Sequence, residues 1–198
     1  MTRAGISHPR TIPGDGGAIE LRLMVQQDRD AVLTFARELP PHDLLFLPRD
    51  ISQPKVLDAW MREIERGALT TLLAMREGAV LGCATIACEP LSWSPHVAEL
   101  RVVVLPSARG RGLGRVLSED AFALAVPLGI EKVTAQMTAD QAGAIAVFET
   151  MGYRAEALLR DHVRDRDGNK HDIVVLSHDI AKFDARLAAY GLTEALEP

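Results

Sequence analysis

The chain has 198 residues, of which 47% are hydrophobic and 25% charged, and its formal net charge is -5. This length and composition predict one globular domain, because two full domains would each need a core of their own. The acidity argues against a nucleic-acid or membrane-surface binder, since such proteins carry a basic footprint. No apolar run approaches the ~20 residues of a membrane span, and the N-terminal stretch lacks the apolar core of a signal peptide. A cytoplasmic protein is therefore expected.

Hydrophobic periodicity and turn residues predict an alternation of strands and helices along the chain. Residues 1–17, rich in Gly and Pro, are predicted to be a flexible leader, residues 18–180 the folded domain, and residues 181–198 a C-terminal helix and tail. Strands are predicted at 18–25, 69–75, 80–88, 97–105, 132–138, 153–163 and 171–179, and helices at 28–39, 53–66, 114–128, 141–151 and after 181. The order βααβββαβαββα predicts an α/β (α+β) class domain with a mixed, mostly antiparallel sheet flanked by helices.

Neither a disulfide nor a metal site is predicted. Cys83 and Cys88 fall on opposite faces of one predicted strand, too far apart to bridge, and are expected to be reduced core residues. None of the six histidines forms a close metal-spaced pair; His162 and His171 flank the last predicted hairpin, but a zinc site needs more ligands. The stretch 165–169, DRDGN, is favoured as a hairpin tip over a calcium loop, because the later ligands are absent.

The most informative stretch is 101–117, RVVVLPSARGRGLGRVL, where an apolar strand runs into a glycine-rich turn and then a helix. Backbone N–H groups at such a turn, together with the positive end of the helix dipole, favour a phosphate. The alternative is an ordinary turn with solvated arginines. The segment contains no carboxylate, and its basic and glycine residues are Arg101, Arg109, Arg111, Arg115, Gly110, Gly112 and Gly114.

Two common nucleotide motifs do not fit this stretch. A Walker A loop ends in Gly-Lys-Ser/Thr, whereas Gly114 is followed by Arg115 and Val116. The dinucleotide pattern G-x-G-x-x-G fails at its last glycine, which falls on Arg115 or Leu117. ATP, GTP and NAD are therefore not expected.

Residues 109–114, RGRGLG, match the R/Q-x-x-G-x-G/A signature of the GNAT superfamily of acetyl-CoA-dependent N-acetyltransferases, in place after a strand and before a helix. A second stretch, DQAGAIAVFETMGY, resembles the downstream pattern of the same family, N-x-x-A-x-x-L-Y-x-x-x-G-F. The matching positions are Gln141, Ala144, Val147, Phe148, Gly152 and Tyr153. The resemblance covers residues 18–180 and includes the order of the elements.

The resemblance implies a site for acetyl-CoA as co-substrate, without a metal ion. Backbone groups of the central strand would pair with the pantetheine amides, the loop would hold the pyrophosphate, and the downstream helix would lie beside the cofactor. Arginine and backbone donors suit such a long anionic molecule. The cofactor-binding residues expected from the resemblance are Val102, Val103, Val104, Arg109, Gly110, Arg111, Gly112, Leu113, Gly114, Arg115, Gln141 and Phe148.

Glu99 is the candidate general base, because it lies where many members of this family carry a glutamate that deprotonates the amine. The alternative is an outward-facing strand residue. At Phe148 the chain departs from the family, since many members have a tyrosine there that protonates the leaving thiolate. No general acid is assigned; Tyr153 is expected to pack, with a catalytic hydroxyl as the alternative.

The acceptor of the acetyl group is left open between a small amine or amino acid and a protein lysine or N-terminus. Residues 26–48 are similar to the start of the acetyltransferase domains of protein acetylases, which mildly favours a protein acceptor. A third class is a sensor that binds acyl-CoA but transfers no acyl group. This class stays open because Phe148 lacks a hydroxyl that could protonate the leaving thiolate. Residues 44–48 and Trp93 are expected near the acceptor mouth, and Asp43, Asp50 and Glu89 as attractors of a cationic acceptor. The chain is expected to be a monomer or homodimer.

Overall fold

One eight-stranded sheet and its flanking helices make up residues 7–180, the part of the chain that the computed structural model describes. The strands are β1 (Arg10–Ile12), β2 (Ile19–Leu23), β3 (Leu69–Arg76), β4 (Ala79–Ala87), β5 (Val97–Val104), β6 (Lys132–Thr138), β7 (Arg154–Arg164) and β8 (Lys170–Asp179). The helices are α1 (Arg29–Glu38), α2 (Pro54–Glu65), α3 (Leu113–Ala125) and α4 (Ala142–Thr150). The strand order is β1-β2-β3-β4-β5-β6-β8-β7, and only β5 and β6 run parallel among these strands. The predicted fold class is confirmed.

The predicted order of elements is found with one addition, the strand β1. The prediction that residues 1–17 form a flexible leader is wrong for residues 10–12, which pair antiparallel with β2. Arg10 reaches from β1 to α3, where its Nε and Nη2 each donate to a carboxylate oxygen of Asp120 at 2.7 Å. This contact spans 110 positions of sequence, so no local pattern of Gly and Pro could indicate it. The helix predicted after residue 181 lies outside the described residues.

The core forms around β3 and β4, the two strands of the predicted hairpin. Their apolar runs are buried over most of their length, and α1 and α3 pack against β4 while α2 packs against β3. Near-continuous apolar strands of this kind are expected where both faces of a sheet are covered. None of the helices among residues 7–180 has the length and apolarity needed to cross a bilayer.

The parallel pair β5 and β6 separates after three residues, which opens a cleft in the middle of the sheet. The two strands are in register from Val97 opposite Lys132 to Glu99 opposite Thr134. Beyond this point β5 continues on β4 as far as Val104, and β6 continues on β8 as far as Thr138. Glu99 therefore lies at the vertex of the cleft.

Candidate functional site

The cleft exposes one backbone edge of β5, and the register identifies which residues supply it. Leu105 N donates to Leu81 O at 2.9 Å. In an antiparallel ladder, hydrogen-bonded and non-hydrogen-bonded pairs alternate, so Val103 directs its backbone groups to β4, whereas Val102 and Val104 direct theirs to the cleft. The expectation that all three valines offer backbone contacts is thus corrected at Val103, whose side chain instead lines a cavity on one face of β5.

The carbonyl of Val104, at the open end of the cleft, is bound by a side chain of the same loop. Arg109 donates to it from Nε at 3.0 Å and from Nη2 at 2.9 Å, and Nη2 also donates to Asp43 Oδ2 at 2.6 Å. Asp43 belongs to the short turn 41–44 between α1 and α2. Arg109 therefore joins the end of β5 to that turn, and its Nε and Nη2 are engaged in these contacts.

The glycine loop leaves a group of backbone donors at the start of α3. Gly110 and Gly112 have φ of +74° and +79°, a left-handed conformation that other residues adopt only with strain. Gly112 is the N-cap of α3, and among the described residues the first amide of this helix that donates to a carbonyl is Val116, to Gly112 O at 3.0 Å. The preceding amides and the positive end of the helix dipole together favour an anion at this position.

Each of the four arginines in residues 101–117 has a carboxylate partner, which comes from a distant segment, from the next helical turn or, for Arg101, from the same strand. Arg111 Nε lies 3.3 Å from Asp15 Oδ2, and Arg115 Nε lies 2.9 Å from Glu119 Oε1. Both guanidinium side chains are more than half exposed, so these pairs contribute little stability and can be exchanged for an anionic ligand. Arg109 and Arg101 are held more firmly, in the contacts to Asp43 and Glu99.

A cavity of about 630 Å³ lies against the face of β5 that carries Glu99. The side chain of Glu99 is 20% exposed and accepts a hydrogen bond from Arg101 Nη2 at 2.6 Å. Apolar walls come from α2 and from the connection after α1, including Trp60, Leu47 and Pro48. Glu99 is therefore a cavity residue rather than an outward-facing strand residue.

The remaining residues predicted for the acceptor side fall into three groups. Glu89 lines the cavity, and residues 47 and 48 of the predicted mouth do so as well. Trp93 is fully exposed and does not line it. Asp43 and Asp50 are engaged in pairs with Arg109 and Arg166. These arginines, which are distant in sequence, neutralise the charge with which Asp43 and Asp50 were expected to attract a cationic acceptor.

The cavity wall contains two cysteines that were not predicted from the sequence to belong to the site. Cys83 and Cys88 are free thiols that line the cavity. Burial raises the pKa of the Cys83 thiol to about 12, and burial together with Glu89 raises that of Cys88. Because the thiolate is the nucleophilic form, neither is suited to carry an acyl group near neutral pH.

The downstream helix places its predicted site residues away from this cavity. Gln141 caps α4, its carbonyl accepting from Ala144 N at 2.9 Å. Phe148 is buried, with its ring 5.0 Å from that of Tyr153 in an edge-to-face contact. Tyr153 is fully buried, burial raises the pKa of its hydroxyl, and this oxygen has no hydrogen-bond partner among residues 7–180. Phe148 thus supplies no proton donor at this position of α4.

Comparison with known proteins gives a family and a set of similar folds. The model of the Acetyltransferase (GNAT) family matches residues 34–153. No curated protein matches the chain. Similar solved structures include the ribosomal-protein-alanine N-acetyltransferase of Brucella melitensis, at 24% identity over 80% of this chain and 98% of that one, with a TM-score of 0.69.

Two further structures show the same likeness at 18% identity. An N-acetyltransferase of Staphylococcus aureus has a TM-score of 0.72, with 82% of this chain and 98% of that chain covered. A phosphinothricin acetyltransferase of Sinorhizobium meliloti, solved in complex with acetyl-CoA, has a TM-score of 0.70, with 81% and 88% covered. At such low identity the likeness concerns the fold, and the family match extends over more than half of the chain.

Proposed function

Since this chain belongs to the GNAT family of acetyltransferases, we propose that it transfers an acetyl group from acetyl-CoA to a primary amine by direct attack in a ternary complex. One observation carries the proposal: β5 and β6 separate at Glu99, so the cleft has a carboxylate at its vertex and the glycine loop at its open end. A long anionic thioester lying in the cleft would bring its phosphates to the loop and its acetyl group toward Glu99.

The proposed cofactor contacts use the backbone groups that face the cleft and the loop, together with two arginines in exposed ion pairs. The backbone of Val102 and the amide of Val104 would pair with the pantetheine amides, as a neighbouring strand would. The amides from Gly110 to Leu113 would bind the pyrophosphate, and Arg111 and Arg115 would turn toward it from their exposed carboxylate partners. The crystal structure of the S. meliloti phosphinothricin acetyltransferase with acetyl-CoA supports this choice of cofactor for the fold.

In the proposed reaction, Glu99 removes the proton that the acceptor amine must lose. The amine nitrogen attacks the thioester carbonyl, the C–N bond forms, the C–S bond breaks, and the proton from nitrogen passes to the Glu99 carboxylate directly or through water. Arg101 holds this carboxylate in the cavity wall. Because Phe148 has no proton to give, the coenzyme A thiolate leaves as an anion and takes its proton from water. The raised pKa of Cys83 is consistent with direct attack rather than transfer through a thiol.

The acceptor is proposed only as a primary amine, small or on a protein. Similar structures include enzymes named for ribosomal-protein alanine and for phosphinothricin, so the fold serves both kinds of acceptor. The cavity beside Glu99 is the proposed entry for the amine. A non-catalytic acyl-CoA sensor is the alternative, and it predicts cofactor binding without release of free thiol.

Thermal unfolding with acetyl-CoA, coenzyme A, NAD and ATP at matched concentrations tests cofactor binding. A ligand that binds only the folded state raises the midpoint by mass action, so the two coenzyme A compounds alone are expected to raise it. Gly112→Ala is expected to lose this shift, because it distorts the loop. Gly129→Ala is the matched control: Gly129 has φ of +74°, is exposed, and like Gly112 has nothing within 4 Å of an added Cβ.

Both variants are expected to lose a similar stability, about 1–2 kcal/mol, from left-handed backbone strain. Retention of the full coenzyme A shift in Gly112→Ala would contradict the loop assignment, and absence of any shift in the unaltered protein would contradict the cofactor itself. A screen of amines for release of free thiol then separates the enzyme from the sensor.

A further inference from the structure

Three side chains far apart in sequence meet beside the open end of the cleft: His42, Asp140 and His171. One ring nitrogen of each histidine and one carboxylate oxygen of Asp140 lie within 4.8 Å of one another. His42 belongs to the turn 41–44, Asp140 follows β6, and His171 is in β8. The spacing of histidines along the chain gave no sign of this group, although the rings of His42 and His171 are 5.0 Å apart.

The pair His42 and Asp140 already has the spacing of two ligands on one metal ion. His42 Nε2 lies 3.0 Å from Oδ2 and 3.2 Å from Oδ1 of Asp140. Two ligands of a tetrahedral Zn²⁺ with bonds of about 2.0–2.1 Å are about 3.3 Å apart. An ion that replaced the proton between these two groups would require little movement of either side chain.

The third side chain is oriented by a second carboxylate, that of Asp165. His171 Nε2 lies 2.9 Å from Asp165 Oδ2, and Asp165 is itself held by the backbone amides of Asp167 and Asn169 at 3.0 and 2.8 Å. With Nε2 donating to the carboxylate, Nδ1 of His171 has its lone pair available for a metal. A carboxylate that orients a ligating histidine in this way is a general feature of metal sites.

We propose that His42, Asp140 and His171 bind one divalent transition-metal ion, with Asp165 orienting His171 and water completing the coordination. Two imidazoles and one carboxylate favour such ions, of which Zn²⁺ is the probe, over Mg²⁺ and Ca²⁺, which prefer oxygen ligands. The three side chains are partly exposed, so an ion can enter from solvent.

A metal ion at this site would link the turn 41–44 to the strands on the other side of the cleft. Asp43, next to His42, ties the turn 41–44 to the end of β5 through Arg109. His42 faces the end of β6, where Thr138 Oγ1 lies 3.4 Å from its Nε2. A bound ion would therefore fasten this turn across the opening between β5 and β6. The metal site does not depend on the proposed acetyl transfer.

Isothermal titration of the untagged full chain with ZnCl₂ tests the site. We expect one Zn²⁺ per chain, and weaker binding by more than tenfold in the double variant His42→Ala plus His171→Ala. Asp165→Asn keeps every ligand but loses the orienting carboxylate, and is expected to weaken binding about tenfold or more. MgCl₂ and CaCl₂ are expected to compete poorly with ZnCl₂.

Two controls separate this site from other zinc-binding groups. His162→Ala removes an exposed histidine of β7, and Cys88→Ser removes the partly exposed thiol; both are expected to bind Zn²⁺ as the unaltered protein does. Unfolding midpoints measured without metal show whether each variant is folded. If the double variant at His42 and His171 does not fold, Asp165→Asn provides the test of the site. The proposal would be overturned if the unaltered protein bound no Zn²⁺, or if a folded variant at His42 and His171 or at Asp165 bound Zn²⁺ as tightly as the unaltered protein.

Discussion

Glu99 and Arg101 form an ion pair on the cavity side of β5, with Arg101 Nη2 2.6 Å from Glu99 Oε2. Residues two apart on a strand share a face, so the pairing follows directly from strand geometry. Both side chains are about four-fifths buried. Glu99 is also the last β5 residue in register with β6, which holds its carboxylate at the vertex of the cleft.

Replacing Glu99 by glutamine is expected to lower kcat by about 10²–10⁴-fold, the usual contribution of a positioned base. The affinity for acetyl-CoA is expected to stay the same, because the proposed cofactor contacts lie toward the loop. Steady-state kinetics with an amine acceptor and titration with coenzyme A measure the two quantities. Glu38→Gln, at an exposed position at the end of α1 and outside the cavity wall, is the control and is expected to keep its kcat. Undiminished turnover in Glu99→Gln would remove this residue from the mechanism.

Arg10→Ala is expected to lower the free energy of unfolding by about 3 kcal/mol, since the fully buried carboxylate of Asp120 loses its bidentate partner but keeps the contact to His8 Nε2 at 3.1 Å. The double variant Arg10→Met plus Asp120→Leu is expected to recover most of this loss, because it removes both charges. Urea unfolding measures the free energy of unfolding of the unaltered protein and of these two variants. Arg111→Ala, which breaks an exposed pair, serves as the control and should cost less than about 1 kcal/mol. A negligible loss in Arg10→Ala would mean that β1 is not anchored through α3.

Asp28 is expected to contribute stability that disappears in acid. Its buried carboxylate accepts two hydrogen bonds from Arg22 at 2.6 Å and one from Val25 N at 2.8 Å. The bonds from Arg22 are the main reason that its pKa lies below the ordinary value of 3.8. A lowered carboxyl pKa stabilises the folded state above the unfolded value, and this stabilisation is lost as the pH falls through the folded value.

Asp28→Asn is therefore expected to cost about 1.5–3 kcal/mol between about pH 5 and 7, the range for hydrogen bonds to charged groups. The difference from the unaltered protein should shrink as the pH falls below 3.8. Denaturant unfolding of both proteins, from neutral pH to below 3.8, measures this difference in the free energy of unfolding. Asp30→Asn, at a carboxylate that is 89% exposed, should show little difference at any pH. A cost for Asp28→Asn that stays constant into acid would contradict the electrostatic origin.

Tyr153→Phe is expected to leave the free energy of unfolding unchanged or raise it by about 1 kcal/mol. A buried hydroxyl without a partner costs desolvation, and no acceptor or donor for it lies among residues 7–180. Turnover is expected to be unaffected, because this ring packs on Phe148 rather than lining the cavity. Chemical unfolding and steady-state kinetics on the same preparation provide the two measurements. A fall in kcat with an intact fold would instead indicate that the hydroxyl takes part in the reaction.

Local patterns predicted the order of the elements from β2 to β8, because each depends on neighbouring residues. Gly78 marks the turn between β3 and β4, and the alternation of apolar and polar residues marks β5 and β6. The glycine loop before α3 was also predicted, since positive φ at Gly112 is a property of one residue and its neighbours.

Only the tertiary structure decided how these elements meet. Arg109 finds Asp43 across 66 positions of sequence, and His42 finds Asp140 across 98. The register that turns Val103 toward β4, and the separation of β5 from β6 beyond Glu99, depend on pairing between whole strands. Backbone conformation is set by sterics within a few residues, whereas pairing partners are set by the packing of distant segments around a common core. Local sequence therefore predicts the elements and the glycine loop, and the assembled sheet decides where the cleft opens and which groups face it.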